Sequence, residues 1–165
     1  MKHISAYLIT KLGDQGEMSK LKLKFWLFYY DWAYALLKDD KGTGINWTYN
    51  PHMPETKDLD ALSRIHDFRL VTESVCGITQ KETISYLPAT YAHLDKEELL
   101  SKMPLTRDQQ IVMDIVTRSN CTDSFDHLRT HVMSAYPFNS PTIYTELDLV
   151  VLASEARNIP DLQSN

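Results

Sequence analysis

The chain has 165 residues, 43% apolar and 24% charged, with five glycines, seven prolines and two cysteines. That composition excludes collagen-like, wholly disordered and disulfide-scaffold chains, and the length fits one domain, 1–165, with its own core. Seventeen basic against twenty-two acidic residues give a net charge of −5. Residues 1–40 hold six basic and five acidic groups, so the other 125 residues carry −6, which argues against a surface built to track phosphates and so against nucleic acid as partner. The opening MKHISAYLITKLGD has no long apolar core or small-residue cleavage site of a secretory leader. The densest apolar run, Phe25 to Tyr30, is six residues, where about 20 are needed to cross a bilayer. With Cys76 and Cys121 fitting a reducing compartment, the expectation is a cytoplasmic protein with no membrane partner.

In chain order, Ile4 to Leu12 reads as a short helix with Ile4, Leu8 and Leu12 on one face. Gly13 and Gly16 bracket a turn. Ser19 then caps a second helix, with Met18 and Leu23 spaced as a hydrophobic staple, running to about Leu37 before the polar stretch 38–44. In this helix Leu21, Phe25, Phe28 and Trp32 form one stripe, while Trp26, Tyr29, Tyr30 and Tyr34 lie off it. A helix apolar on nearly all sides is either central to a core or buries one side in a partner.

Ile45 to Tyr49 reads as a short strand ended by Asn50-Pro51, and a helix is expected from Pro54 to about Asp67. Phe68 to Val75 and Glu82 to Leu87 read as an antiparallel hairpin with its loop at 76–81, its edge to be paired by Ile45–Tyr49 or by a partner. A charged helix is expected over Asp95–Lys102. Thr106 to Gln109 has capping-box form, with Ile111, Ile115, Val112 and Val116 following at helical spacing. Thr122 or Asp123 starts the next helix, with Phe125, Leu128 and Val132 as its apolar face and Tyr136-Pro137-Phe138 as its end. Thr145 is placed to cap a last helix, Glu146–Arg157, and residues 158–165 form a frayed tail. The sum is α+β: a mainly helical single domain with a small antiparallel sheet.

Catalytic chemistry is hard to find in these residues. His127 and His131 share a helix face at i, i+4, the spacing of helical zinc ligands. Leu128 stands where a metalloprotease would place Glu, and Cys121 or Asp123 match no strong ligand template. His131 can equally bond into the core. Pairing Cys76 or Cys121 with one of six histidines is unconstrained, and there is no nucleophile elbow, phosphate loop or dinucleotide turn. Glu97 and Glu98 read as a solvated face. Lys20, Lys22 and Lys24 beside Trp26 could form a local basic patch, but they do not share one helix face. No catalytic residue, metal or cofactor is expected.

Three segments together resemble the Panacea antitoxin domain of bacterial and phage toxin–antitoxin systems. MSKLKLKFWLFYYDW, residues 18–32, is similar to that family's early helix, which opens Leu-Lys-Leu and runs into Leu-Leu-Tyr and an acidic position. INWTYNPHMPE, residues 45–55, resembles its Trp-x-Tyr-Gly-Pro strand end. LTRDQQIVMDIVTRSNCTDSFDHLRTHV, residues 105–132, resembles two closing helices, the second bearing a Thr-His pair, here Thr130-His131. The likeness extends from about residue 4 to 157. Asn50 departs from the family's Gly, though Asn tolerates positive φ; Lys24-Phe25 replaces the usual Gln-Lys pair.

The resemblance implies a non-enzymatic antitoxin that neutralises a cognate protein toxin, usually encoded by an adjacent gene, through direct contact. Some relatives act as adaptors that deliver the toxin to a host protease. Aromatic anchors dominate tight interfaces, which makes Trp26, Tyr29, Tyr30, Trp47 and Tyr49 the partner-binding candidates, each with a core role as its alternative. A phage regulator or anti-defence factor acting on a host protein is the second reading, and a small metal or thiol enzyme the third.

Overall fold

The computed structural model describes residues 1–75, 79–118, 124–139 and 145–159. The fold is α+β and mainly helical. In chain order the elements are α1 (Lys2–Leu12), β1 (Glu17–Ser19), α2 (Lys20–Lys38), β2 (Trp47–Thr48), a 3₁₀ segment (Asp58–Arg64), β3 (Phe68–Val75), β4 (Thr79–Tyr86), α3 (Lys96–Ser101), α4 (Arg107–Arg118), α5 (Phe125–Met133), β5 (Glu146–Leu147) and α6 (Leu149–Arg157). The residues group into two compact units. The first comprises Met1–Lys24 and Lys57–Leu105, the second Phe25–Thr56 and Thr106–Asn165. No helix among the described residues is long and apolar enough to cross a membrane.

In the first unit α1 buries Ile4, Ala6, Leu8 and Ile9, a wider face than the single stripe its spacing suggests. It stops at Gly13, whose N–H donates to the Ile9 carbonyl at 2.9 Å. Gln15 and Gly16, both at positive φ, then reverse the chain. β1 pairs antiparallel with β4, giving a three-stranded sheet of order β1-β4-β3. The β4 edge of the hairpin is therefore closed by Glu17–Ser19 and not by the 45–49 segment. Met18 faces Ile84 in register, and both are buried with Phe68.

Ser19 ends β1 and also caps α2, its Oγ accepting from the Lys22 N–H at 3.1 Å. Lys20 is tied down rather than solvated: its Nζ lies 2.7 Å from Asp60 and 3.2 Å from Glu82. β4 begins at Thr79, three residues earlier than expected, because the ladder continues in register to Val75↔Thr79. The rest of the expected loop, Cys76 included, lies outside the described residues. α3 starts with the full reciprocal box between Asp95 and Glu98, so Glu98 works as a cap and not only as a solvated charge.

The helix expected over 54–67 forms only in part, as a 3₁₀ segment over Asp58–Arg64. Thr48 and Glu55 exchange backbone hydrogen bonds of 2.8 and 3.1 Å in the second unit, which holds residues 54–56 extended. In the first unit Asp58–Arg64 takes a 3₁₀ path, which places Leu59 and Leu62 on one side and buries both.

In the second unit β2 pairs with β5, Trp47 opposite Leu147. The last helix accordingly starts later than expected. Residues 146–147 give their backbone to β2, the Thr145 carbonyl accepts from the Tyr49 N–H at 2.8 Å, and Asp148 caps α6 through the N–H groups of Val150 and Val151. Asn50 does not use positive φ. Its Oδ1 accepts from the His52 N–H at 3.0 Å, so a side-chain turn does what glycine would do by backbone freedom.

The Thr106–Gln109 capping box forms both its bonds. α4 buries Val112, Met113 and Val116, whereas Ile111 and Ile115, expected on its apolar face, are exposed. Ser124 caps α5; Thr122 and Asp123, expected there, lie outside the described residues, as does the tail from 160 onward. Leu128 and Val132 are buried, and the Phe125 ring sits edge-on to Phe25 at 5.4 Å.

The turn at Gly13 supplies a test of the first unit. A Cβ there would lie 2.3 Å from the Ile9 carbonyl oxygen and 2.5 Å from that of Glu17. Both are backbone atoms, which cannot swing aside. Gly13→Ala is expected to destabilise the chain by about 2–3 kcal/mol in chemical denaturation; a loss below about 0.5 kcal/mol would contradict this packing.

Candidate interaction site

Within the second unit, α2 is buried on most of its circumference. Phe25, Trp26, Leu27, Phe28, Tyr30 and Trp32 are all below one-tenth exposed, while Tyr29 and Tyr34 are half-buried. Leu21, counted on the apolar stripe by its spacing, is 40% exposed. Of the five aromatic candidates for partner binding, Trp26, Tyr30 and Trp47 lie in the core and present no ring to a partner. Tyr29 and Tyr49 remain half-exposed.

These two sit at different ends of the aromatic packing. Tyr29 meets the His131 ring edge-on at 4.7 Å, and the Trp26 ring lies 6.1 Å behind it. His131 is exposed on α5, one turn from the exposed His127, so it is a surface partner of Tyr29 and not a core histidine. Tyr49 follows β2 and lies 6.0 Å from Phe138, which packs at 5.0 Å on Phe28, which in turn meets Trp47 edge-on at 5.2 Å. The core aromatics thus back both surface tyrosines with rigid apolar support.

Asp31 is the only charged residue between Phe25 and Leu37. It is 4% exposed, and its carboxylate accepts three hydrogen bonds. One oxygen takes the Thr43 N–H at 2.7 Å; the other takes the Thr43 hydroxyl at 2.6 Å and the Trp47 Nε1–H at 2.8 Å. Burial pushes the carboxyl up to about 6, against the Thr43 and Trp47 donors that pull it down. Gly42 makes the approach possible: a Cβ there would stand 2.7 Å from Asp31 Oδ1 and 2.8 Å from the Tyr30 ring. A lone acid inside an aromatic helix was the available sequence signal, but its partners 12 and 16 residues on could not be read from spacing.

Beside this cluster lies a cavity of about 40 Å³, lined by Asp31, Ala35, Ile45, Trp47, Leu147 and Val150 among others. It has room for no more than a water or two and is an order of magnitude below the size of a metabolite pocket. Among the described residues no group of three or more His, Cys, Asp or Glu side chains is placed to hold a metal ion. Among the described residues the buried hydroxyl of Tyr30 and the indole N–H of Trp26 find no hydrogen-bond partner. Burial, with Asp31 next in chain, holds the Tyr30 phenol far above its ordinary value.

Two outcomes follow from this chemistry. Between about pH 4 and 6 the folded chain keeps a proton on Asp31 that the unfolded chain has released, so this group's contribution to stability falls as pH rises through that window. It is constant above. Relative to Asp31→Asn, the unfolding free energy should drop by on the order of 3 kcal/mol from pH 4 to 7; a flat or rising difference would refute the assignment. Tyr30→Phe removes an unsatisfied hydroxyl without changing ring packing and should leave stability unchanged or raise it by about 1 kcal/mol, read from the denaturation midpoint.

No protein-family model matches the chain, and no curated protein or solved structure shows significant similarity to it.

Proposed function

We propose that the chain is a non-enzymatic antitoxin that neutralises a cognate protein toxin by direct contact, with Tyr29 and His131 at the contact surface and Tyr49 at a second point. The observation that carries this reading is the ordered likeness of residues 18–32, 45–55 and 105–132 to the Panacea domain. Its physical support is that parts of all three segments pack on one another in the second unit. Phe25 meets Phe125, Phe28 meets Trp47, and Tyr29 meets His131, the histidine of the Thr-His pair. A half-exposed tyrosine braced from behind by tryptophan is the kind of anchor that dominates tight interfaces, since its ring buries area at little entropic cost. The acidic surplus outside residues 1–40 would speed encounter with a basic toxin.

The test is expression of the adjacent reading frame alone and together with this chain. Growth arrest relieved by co-expression, with the two proteins co-purifying, is the expected result. Relief with loss of the neighbour's protein and no complex would favour a proteolytic adaptor, and a harmless neighbour would favour a regulator aimed at a host protein. Tyr29→Ala and His131→Ala should each weaken neutralisation while leaving the chain folded with a cooperative melt, because His131 is exposed and Tyr29 is only half-buried. Loss of at least about 2 kcal/mol of binding, some thirtyfold, is expected for Tyr29→Ala by calorimetric titration with the toxin. Unchanged affinity in both variants would move the contact elsewhere.

A further inference from the structure

β3 is an edge strand of the first unit's sheet. Among the described residues β4 is the only strand that pairs with it. Two bonds fix which way its backbone faces. The Asp67 carbonyl accepts from Leu87 at the end of the β4 ladder, and the next residue, Phe68, turns its N–H away to Ile65. By alternation Arg69, Val71 and Glu73 direct their backbone groups to β4, and Leu70, Thr72 and Ser74 direct theirs outward. Arg69, Thr72, Glu73 and Ser74 are exposed, and Leu70 and Val71 are half-buried. An edge of this length is ordinarily guarded by like charges or proline. Here the guards are one positive and one negative charge, Arg69 and Glu73, placed symmetrically about Val71. No ion pair to either is found among the described residues.

We propose that the outer edge of β3 docks a second copy of this chain, the two strands pairing antiparallel about a two-fold axis at Val71. In that register Leu70 lies opposite Thr72 of the second copy, and each presents outward-facing donors and acceptors. Arg69 lies opposite Glu73 of the second copy, and the two-fold repeats the pair. Registers shifted by two residues in either direction keep the backbone match but set Arg69 opposite Val71 or Val75, so backbone alternation and charge together select one pairing. The interface is isologous and closes on itself, which exhausts the free edge. Two seven-residue edges bury less than the roughly 1,600 Å² of a standard interface, so a dissociation constant of about 10–100 µM is expected.

This inference does not depend on the antitoxin reading, because the purified chain alone tests it. Sedimentation equilibrium across the micromolar range should show a monomer–dimer equilibrium. Glu73→Arg, which sets a guanidinium against Arg69 of the second copy, should weaken it about tenfold or more. The double exchange Arg69→Glu with Glu73→Arg should restore it. Thr72→Pro removes an N–H that no hydrogen bond among the described residues uses, and should abolish the dimer while leaving the circular dichroism spectrum unchanged. A chain that stays monomeric to about 1 mM, or a dimer indifferent to Glu73→Arg and Thr72→Pro, would overturn the proposal.

Discussion

The second unit is organised by one buried carboxylate. Asp31 takes three hydrogen bonds from Thr43 and Trp47, and through them it fixes the path of residues 39–47 against the helix that carries it. Removing water from an acid is costly, and that cost is visible in its raised proton affinity. The donors make the burial tolerable only if they arrive together. Gly42 must therefore leave space for the carboxylate, and Trp47 must be held with its indole N–H directed inward. β2 provides that hold by pairing with β5, which in turn sets where α6 can begin.

The end of α2 shows the same dependence. Asp39 closes the helix in the left-handed conformation, its N–H bonding the Ala35 carbonyl at 3.1 Å. Arg157 from α6 reaches the Leu36 carbonyl at 3.1 Å and Asp39 at 2.6 Å, and Lys38 pairs with Asp108 at the start of α4. The helix end is thus satisfied in part by Arg157 from α6, and the positive charges of Arg157 and of Lys38 in the last turn of α2 suit the negative pole of the helix dipole.

Around this frame the aromatics divide into supports and surface. Trp26, Phe28, Trp47 and Phe138 form the interior, and Tyr29 and Tyr49 are what they leave accessible. Tyrosine suits such a boundary because its ring packs as a hydrocarbon while its hydroxyl can stay wet. That division is why the five aromatic candidates for partner binding narrow to two, and why His131, weighed for metal or core, becomes a surface neighbour of one of them.

Much of the local structure was legible in the residues. The caps at Ser19 and Thr106 obey a chemistry that acts over three or four positions, as do the turn at Gly13–Gly16 and the two long strands of the hairpin, and each formed as that chemistry requires. The expected strand at 45–49 shortens to β2 and the helix expected from 146 starts later, because the two-residue strands β2 and β5 pair with each other across 98 to 100 positions of chain. Likewise β1 is a strand only because β4 offers an edge, and the start of the expected 54–67 helix yields to the backbone pairing of Thr48 with Glu55. The exposure of Ile111 and Ile115, and the burial of Tyr30, depend on which neighbours arrive, which no helical period specifies. The α+β class, the caps at Ser19 and Thr106 and the periodic faces were readable from residue order, since these arise from interactions within one turn or one hairpin. The partners of Asp31, the pairing of the short strands and which tyrosines remain at the surface emerged in the folded chain, because those are settled by contacts whose sequence separation leaves no local trace.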